Sequence, residues 1–302
     1  MSNSKLEQVR PTFHLIATTF NRQVELAQFL NALISQIGRP IIKLYLLDQN
    51  PHRLDLDKFE FGPNIKVIYV HEGARLGLSA ARNKLISYLD DVNGGDIIAF
   101  PDDDCWYPEN LLADIEHVFN QTSVDLICTH VYDPINEKDY GGRPSNKLIR
   151  LTFSNLFSLP ISVGIFMKFD QRFISEMRFD NNLGAGTKLG SGEETDFVYR
   201  LLKAGARGIY DGNYRVYHLV EPADVRDEKK AYAYGLGFGF IASRFVIRGN
   251  WIIISSMIDI MMRSCAGYLI SMNKRTARRY YSARLTGIVR GISMAFKTIA
   301  ER

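Results

Sequence analysis

Apolar and polar positions in the first half of the chain alternate between a strand-like and a helix-like pattern. Short aliphatic, β-branched runs predict strands at 13–20, 41–50, 64–72, 96–100 and 124–132. Apolar residues spaced three or four apart predict helices over 24–34, over 79–91 with Ser79 as N-cap, and from Pro108 onward. Strands that alternate with helices predict an α/β fold with a mostly parallel sheet covered by helices on both faces.

The chain after residue 132 has a less regular pattern. Residues 133–192 are rich in Gly and Asn, which predicts loops. GEETDFVYRLLKAGA (192–206) predicts a helix, and short strands are expected around 207–210 and 214–219. We expect one large domain over 1–225 and a helical, amphipathic extension over 226–302.

Composition is that of an ordinary globular protein, with 46% hydrophobic and 23% charged residues. The three cysteines, Cys105, Cys128 and Cys265, have no metal-ligand spacing, and their odd number argues against a disulfide framework. The N-terminal segment shows no signal-peptide pattern. These features predict a cytoplasmic protein.

The net charge of +4 conceals two regions of opposite charge. Residues 226–302 contain 14 Lys or Arg and 4 Asp or Glu, a net charge of +10, so residues 1–225 carry −6. A basic terminal region suggests nucleic acid or an anionic membrane as partner. Its basic residues are interleaved with Ile and Met, which favours lipid, so nucleic acid is not an expected partner.

Residues 234–272 within the basic region are strongly apolar. Their longest charge-free central stretch, 249–258, is too short to span a bilayer, which needs about 20 apolar residues. A cluster of cations follows at 274–284. The pattern predicts a helix that lies in the interface of an anionic membrane, on the inner face of the plasma membrane. A core helix packed on the large domain is the alternative.

Three consecutive carboxylates, Asp102–Asp104, come directly after the predicted strand at 96–100. Like charges this close repel, and they suit a hard divalent cation such as Mg²⁺ or Mn²⁺. The alternative is a solvated acidic turn before the next helix. Thr18–Arg22 and Asp48–Asn50 also follow strands, so all three segments are expected to meet at one edge of a parallel sheet.

The acids at 193–196, His218 and Cys105 are further candidates for catalytic or ligand roles. Glu193, Glu194 and Asp196 begin a predicted helix directly after a Gly-rich loop, which suits a catalytic carboxylate beside a mobile segment, although the helix dipole alone also favours acids there. His218 lies in the apolar run YRVYHL, where a packed core histidine is the alternative to a ligand. Cys105 has no His neighbour in sequence and is expected to be a packed thiol.

Together these segments resemble a family of enzymes. The segments are ATTFNR (17–22), LLDQN (46–50), GLSAARN (77–83), FPDDDCWYPENLL (100–112), FDNNLGAG (179–186), SGEETDF (191–197) and VYHL (216–219). As an ordered set covering roughly 13–220, they are similar to the family 2 inverting glycosyltransferases of the bacterial polysaccharide type. That family has the GT-A fold, with a Rossmann-like sheet, and uses nucleotide-sugars.

The resemblance implies a role for each matching residue. Thr18, Phe20, Arg22, Asp48, Arg82, Asp102 and Asp103 are expected to bind the nucleotide-sugar, with Asp48 on the base, most often uracil. Asp102 and Asp104 form the DXD motif and, with His218, are expected to hold Mn²⁺ or Mg²⁺. Glu194 is expected to be the general base, at a position where the family usually has Asp. Many family members have Gly and Ser after the Asp that follows the second strand, whereas this chain has Gln49 and Asn50. The identity of the nucleotide base is therefore left open.

The expected function is sugar transfer from a nucleotide-sugar to a glycan or lipid-linked acceptor. Metal-dependent phosphoryl or nucleotidyl transfer is an alternative, but the chain lacks the phosphate-binding G-x-x-x-x-G-K-[ST] loop. A non-catalytic nucleotide-binding membrane protein is another.

Overall fold

The computed structural model describes residues 10–220 and 227–300 and is built around a ten-stranded sheet. The strands are β1 (Thr12–Thr19), β2 (Ile41–Asp48), β3 (Ile65–His71), β4 (Ile97–Ala99), β5 (Cys105–Trp106), β6 (Leu126–Asp133), β7 (Lys138–Asp139), β8 (Leu148–Arg150), β9 (Ile165–Lys168) and β10 (Gly208–His218). The helices are α1 (Gln23–Ile34), α2 (Leu78–Ile86), α3 (Leu111–Gln121), α4 (Glu193–Lys203), α5 (Glu228–Ile247), α6 (Ile253–Ile270) and α7 (Arg275–Ala300).

The sheet has the order β3-β2-β1-β4-β9-β6-β10-β5, with β7 paired to β6 and β8 to β10. β1 to β4 are parallel to one another, as are β6 and β10. Apolar side chains of α1 and α3 pack on one face of the sheet, and those of α2 and α4 pack on the other. The predicted α/β fold with a mostly parallel sheet is therefore confirmed. The predicted domain boundary at 225 and 226 lies outside the described residues.

The sequence pattern missed β9, which lies near the centre of the sheet and runs antiparallel to both β4 and β6. With four residues, it is too short to show a strand period within a region of loops. The two strands expected around 207–210 and 214–219 form one strand, β10, with an irregular register between Asp211 and Arg215. Ser79 does not cap α2. Gly77 is the N-cap, and Ser79 Oγ donates to the Leu183 carbonyl oxygen at 2.7 Å.

The start of the extension packs into the core of the large domain. Leu236, Ile241 and Phe245 of α5 are buried in one hydrophobic cluster with Phe197 of α4. The Phe245 ring stacks on Tyr199 of α4, with 3.6 Å between ring centroids. The prediction of one interfacial helix over 234–272 is corrected accordingly, because the segment forms two helices and the first is a core helix.

α5 and α7 are packed so closely that their backbones touch. A Cβ at Gly235 of α5 would lie 2.2 Å from the Arg284 carbonyl oxygen of α7. A Cβ at Gly287 of α7 would lie 2.3 Å from the Tyr232 carbonyl oxygen of α5. Since only hydrogen fits at either position, these glycines allow α7 to cover α5 along its length.

Candidate active site

Strand ends that are distant in the sequence meet at one edge of the sheet. The backbone N–H of Asn21, after β1, donates to Asn50 Oδ1, after β2, at 2.7 Å. Arg22 reaches from the same turn to Asp103, after β4, with 3.0 Å between Nη1 and Oδ1. The predicted convergence of the three strand ends is therefore confirmed.

Two arginines supply positive charge to the Asp102–Asp104 segment. Arg22 Nη1 donates to Asp103 at 3.0 Å and to Asp104 Oδ2 at 2.5 Å, and Arg82 Nη2 donates to Asp102 Oδ1 at 2.8 Å. Burial raises the pKa of Asp103 to about 6 and also raises that of Asp102. Burial would raise the pKa of Asp104 as well, but His218 and Arg22 outweigh it and hold this pKa below its usual value.

Strand pairing brings His218 to the same segment. β10 pairs with β5 so that His218 lies opposite Cys105, the neighbour of Asp104. His218 Nε2 is 3.4 Å from Asp104 Oδ1, which is buried and accepts no hydrogen bond from the described residues. Burial would lower the pKa of His218, but Asp104 and Asp102 raise it above its usual value. Cys105 is buried, as predicted, and its Sγ contacts the Asp102 carbonyl oxygen at 3.1 Å.

The Asp104–His218 pair has the chemistry of a cation site. His218 Nδ1 lies 2.7 Å from the Leu219 carbonyl oxygen, an acceptor, so in neutral His218 this nitrogen carries the proton and Nε2 presents a lone pair beside Asp104. Two acceptors at this distance need a proton or a cation between them. Among the described residues no group of three His, Cys, Asp or Glu side chains is arranged to hold a metal ion. Asp102, the third predicted ligand, is held instead by Arg82.

Asp48 is fully buried at the end of β2. Its Oδ1 accepts from the Asn50 N–H at 2.9 Å, and its Oδ2 accepts from the Leu54 N–H at 3.0 Å and from the Tyr69 hydroxyl. Burial would raise the pKa of Asp48, but these hydrogen bonds hold it below its usual value. A contact between Asp48 and a base stays a prediction, and it requires one of these donors to move.

The acidic residues of α4 face different surroundings. Asp196 is 2% exposed and accepts from Arg200 Nε at 2.9 Å and from Arg244 of α5. Glu193 is buried, and its Oε1 lies 3.7 Å from Arg82 Nη1. Glu194 is half-buried, and Thr195 Oγ1 lies at 3.5 Å from its Oε1. Of the three, Glu194 is the carboxylate least engaged with the described residues.

Arg82 joins the two acidic segments. Its side chain is 1% exposed and lies between Asp102 and Glu193, with its guanidinium carbon 5.3 Å from the centroid of the Phe179 ring. Burial and the charge of Glu194 raise the pKa of Glu193 to about 8, although Arg82 opposes this. Nucleotide binding by Arg82 stays a prediction, and its link to both acidic segments is not visible in the sequence, because the three residues lie on separate elements.

The structure adds residues that the sequence analysis did not single out. Arg75 covers the ring of Phe20, with 4.6 Å from its guanidinium carbon to the ring centroid, next to half-buried Thr18. Arg143 donates to the carbonyl oxygens of Leu159 and Pro160 at 3.0 and 3.1 Å. Burial lowers the pKa of Arg143, and the charge of Glu194 opposes this effect. The only sequence signal for Arg143 is a single cation in a Gly-rich loop.

Comparison with known proteins gives a family match over the part of the site that precedes α4. Residues 15–174, more than half of the chain, match the family model described as Glycosyl transferase family 2. This range contains most of β1, all of β2 to β4 and the Asp102–Asp104 segment. A search among curated proteins gives no match.

Solved structures share the architecture at low sequence identity. The mannosyltransferase PcManGT from Pyrobaculum calidifontis, in complex with GDP-Man and Mn²⁺, gives a TM-score of 0.60 at 14% identity, covering 94% of this chain and 88% of that one. Residues 1–349 of S. aureus TarS give 0.57 at 14% identity, covering 96% and 92%. The same fragment in complex with UDP-GlcNAc gives 0.53 at 14% identity, with the same coverage. The GT-A fold implied by the sequence resemblance is confirmed.

Proposed function

Because the chain belongs to glycosyl transferase family 2 and is a glycosyltransferase, we propose that it moves a sugar from a nucleotide-sugar to an acceptor hydroxyl with inversion at the anomeric carbon. The observation that carries this proposal is the edge where Asp102–Asp104, Arg22 and the start of α4 meet around Arg82. The solved structures with UDP-GlcNAc and GDP-Man support a nucleotide-sugar donor. UDP-sugar is the favoured donor class.

The nucleotide is proposed to lie along the ends of β1 and β2. Phe20 under Arg75 provides an aromatic surface, and half-buried Thr18 precedes it by two residues, at the end of β1. Asp48 is proposed to recognise the base after one of its present donors moves, and Asp102 and Asp103 are proposed to contact the ribose and diphosphate. Arg22 and Arg82 supply positive charge where the diphosphate would lie.

Asp104 and His218, with Asp102 beside them, are the proposed ligands of a divalent cation, Mn²⁺ or Mg²⁺. The buried Asp104 Oδ1 accepts no hydrogen bond from the described residues and lies 3.4 Å from His218 Nε2, which fits a cation that would also bind the diphosphate of the substrate. PcManGT was solved with Mn²⁺, which supports this assignment. When bound, such a cation neutralises the charge that develops on the departing nucleoside diphosphate.

Glu194 is the proposed general base. Its carboxylate takes the proton of the acceptor hydroxyl while that oxygen bonds to the anomeric carbon. The bond from the anomeric carbon to the diphosphate oxygen breaks in the same displacement, and its electron pair leaves with the nucleoside diphosphate. Asp196 is committed to Arg200 and Arg244, and Glu193 is buried against Arg82, which supports Glu194 for this role.

The acceptor is proposed to be a glycan or lipid-linked sugar in surface polysaccharide synthesis, at the inner face of the plasma membrane. The exposed apolar surface of α6 and the cations that follow it support a location at a membrane.

A donor screen tests the proposal. The full chain is incubated with a panel of UDP-, GDP- and dTDP-sugars, with Mn²⁺, with Mg²⁺ or with excess chelator, and the released products are separated. Slow release of UDP from a UDP-sugar, dependent on the cation, is expected. Release of pyrophosphate would instead indicate nucleotidyl transfer. Donor binding without any release, in the presence of candidate acceptors, would indicate a non-catalytic protein.

A further inference from the structure

α6 presents an unbroken apolar surface to solvent. The α6 stripe is Trp251, Ile254, Ile258, Met262, Cys265, Leu269 and Met272, all exposed. The spacing of three or four from Ile254 to Leu269 places those five residues on one side of the helix, and Trp251 and Met272 lie in the turns just before and after it. Trp251, Met262 and Leu269 are 69%, 65% and 62% exposed. A continuous apolar surface of this length, about 30 Å at the helical rise, is unusual on a soluble protein and marks an interaction site.

The opposite side of α6 is fixed to the protein. Ile253 is fully buried in the core, and Ser256 Oγ donates to the Ser154 carbonyl oxygen at 3.1 Å. Gly267 lies against Tyr281 of α7, where a Cβ would come within 2.3 Å of the ring. α6 therefore cannot rotate to bury the stripe without losing these contacts.

The charges near the α6 stripe indicate what covers it. Lys274, Arg275, Arg278 and Arg279 lie exposed directly after the stripe, and Arg248 lies exposed just before it. A second copy of this chain placed on the stripe would bring cations against cations. An anionic surface with an apolar interior matches both features.

We infer that the α6 stripe and the cations at 274–279 dock the protein on an anionic lipid bilayer, with α6 lying in the plane of the interface. α6 is long and apolar enough to cross a membrane by length and composition alone, and 11% of its residues are buried. Its attachment to the body of the protein and the exposed Arg263–Asp259 pair, at 3.0 Å, favour the interface over a span. The inference deepens the proposed function and rests on it only for the lipid-linked acceptor.

Vesicle flotation of the full chain tests this, because it needs no transfer reaction. Vesicles of phosphatidylcholine, with or without phosphatidylglycerol, are compared at low and high salt. We expect flotation with phosphatidylglycerol that weakens at high salt. Ile258→Ser with Met262→Ser should lower binding at least about tenfold, since two apolar side chains are lost from the contact. Ile37→Ser, at 53% exposure against 58% for Ile258, is the matched control and should bind normally.

The cationic contribution is measured separately. Arg275→Gln with Arg278→Gln should lower binding to phosphatidylglycerol vesicles by about 25-fold, at about fivefold per cation, whereas Lys66→Gln with Lys203→Gln should not. Unchanged flotation of the Ile258/Met262 variant, or equal binding to both vesicle types, would overturn the inference. A dimer in light scattering that is lost in the Ile258/Met262 variant would also overturn it. So would resistance of the cellular protein to alkaline extraction, because that would indicate a membrane-spanning helix. Nucleotide-sugar turnover without vesicles reports on the proposed function independently.

Discussion

Two groups of three carboxylates lie at the candidate site, and their surroundings differ. In the group after β4, Asp102, Asp103 and Asp104 lie together at one edge of the sheet, and Arg22, Arg82 and His218 are their partners. In the group on α4, the helix turns each acid in a different direction. The three negative charges of the first group therefore lie close together, whereas those of the second group point to different surroundings.

The three acids of α4 have different partners. Asp196 points into the body and fixes α4 to α5 through Arg244. Glu193 points to Arg82, and Glu194 is half-buried with one weak hydrogen bond among the described residues. Neighbouring carboxylates on one helix therefore differ in burial and in partners, according to the direction that the helix gives each one.

The largest effect is expected at Asp104. Asp104→Ala removes the buried oxygen beside His218 and should reduce transfer to below detection, a loss of at least about 10³-fold. Excess chelator should do the same to the unmodified protein. Release of nucleoside diphosphate measures both, and an unchanged melting temperature of the variant serves as the control. Full activity in excess chelator would contradict the cation assignment.

Glu194→Gln should lower turnover by about 10²–10⁴-fold, the usual contribution of a general base. Donor affinity should stay within a few fold, because the amide keeps the shape of the side chain. Single-turnover kinetics and donor titration separate the two quantities. Glu193→Gln is the matched control on the neighbouring residue. If Glu193→Gln abolishes turnover and Glu194→Gln does not, the general base is Glu193.

Asp196→Asn should lower the free energy of unfolding. The change leaves Arg200 and Arg244 without their shared buried carboxylate, and breaking a buried pair costs about 3–5 kcal/mol. Denaturant unfolding measures the change. Asp180→Asn, which removes the more exposed partner of Arg244, should cost clearly less. Equal losses for the two variants would mean that Asp196 has no special role in holding α4.

The smallest effect is expected from Glu193 and depends on pH. Burial and the charge of Glu194 raise its pKa from 4.5 to about 8 in the folded protein, so the native state binds an extra proton between these values. Stability should therefore fall as pH rises from about 5 to 8, by on the order of 1–3 kcal/mol, and then level off. Glu193→Gln should flatten this slope. Free energies of unfolding measured from about pH 5 to 8 test this prediction. An unchanged slope in the variant would mean that a group other than Glu193 binds the extra proton.

Much of the active-site edge could be predicted from the sequence because parallel strands end on the same side of a sheet. That rule brought Thr18–Arg22, Asp48–Asn50 and Asp102–Asp104 together without knowledge of the contacts between them. It gives no information on a buried arginine between elements, so the position of Arg82 against both acidic groups required the structure.

Periodicity also has limits that β9 and α5 illustrate. β9 has too few residues to show a period, and its neighbours in the sheet determine its place. The apolar residues of α5 are equally suited to a protein core and to a membrane surface. α7, which packs on the glycines of α5, makes α5 a core helix, whereas nothing among the described residues covers the α6 stripe.

The glycine contact between α5 and α7 also sets an order for folding during synthesis. α5 leaves the ribosome well before α7, so Gly235 has no facing backbone until the end of the described chain has been made. The sheet can form first, as N-terminal units do on a nascent chain. α4, which depends on Arg244 of α5, receives its final support late in translation.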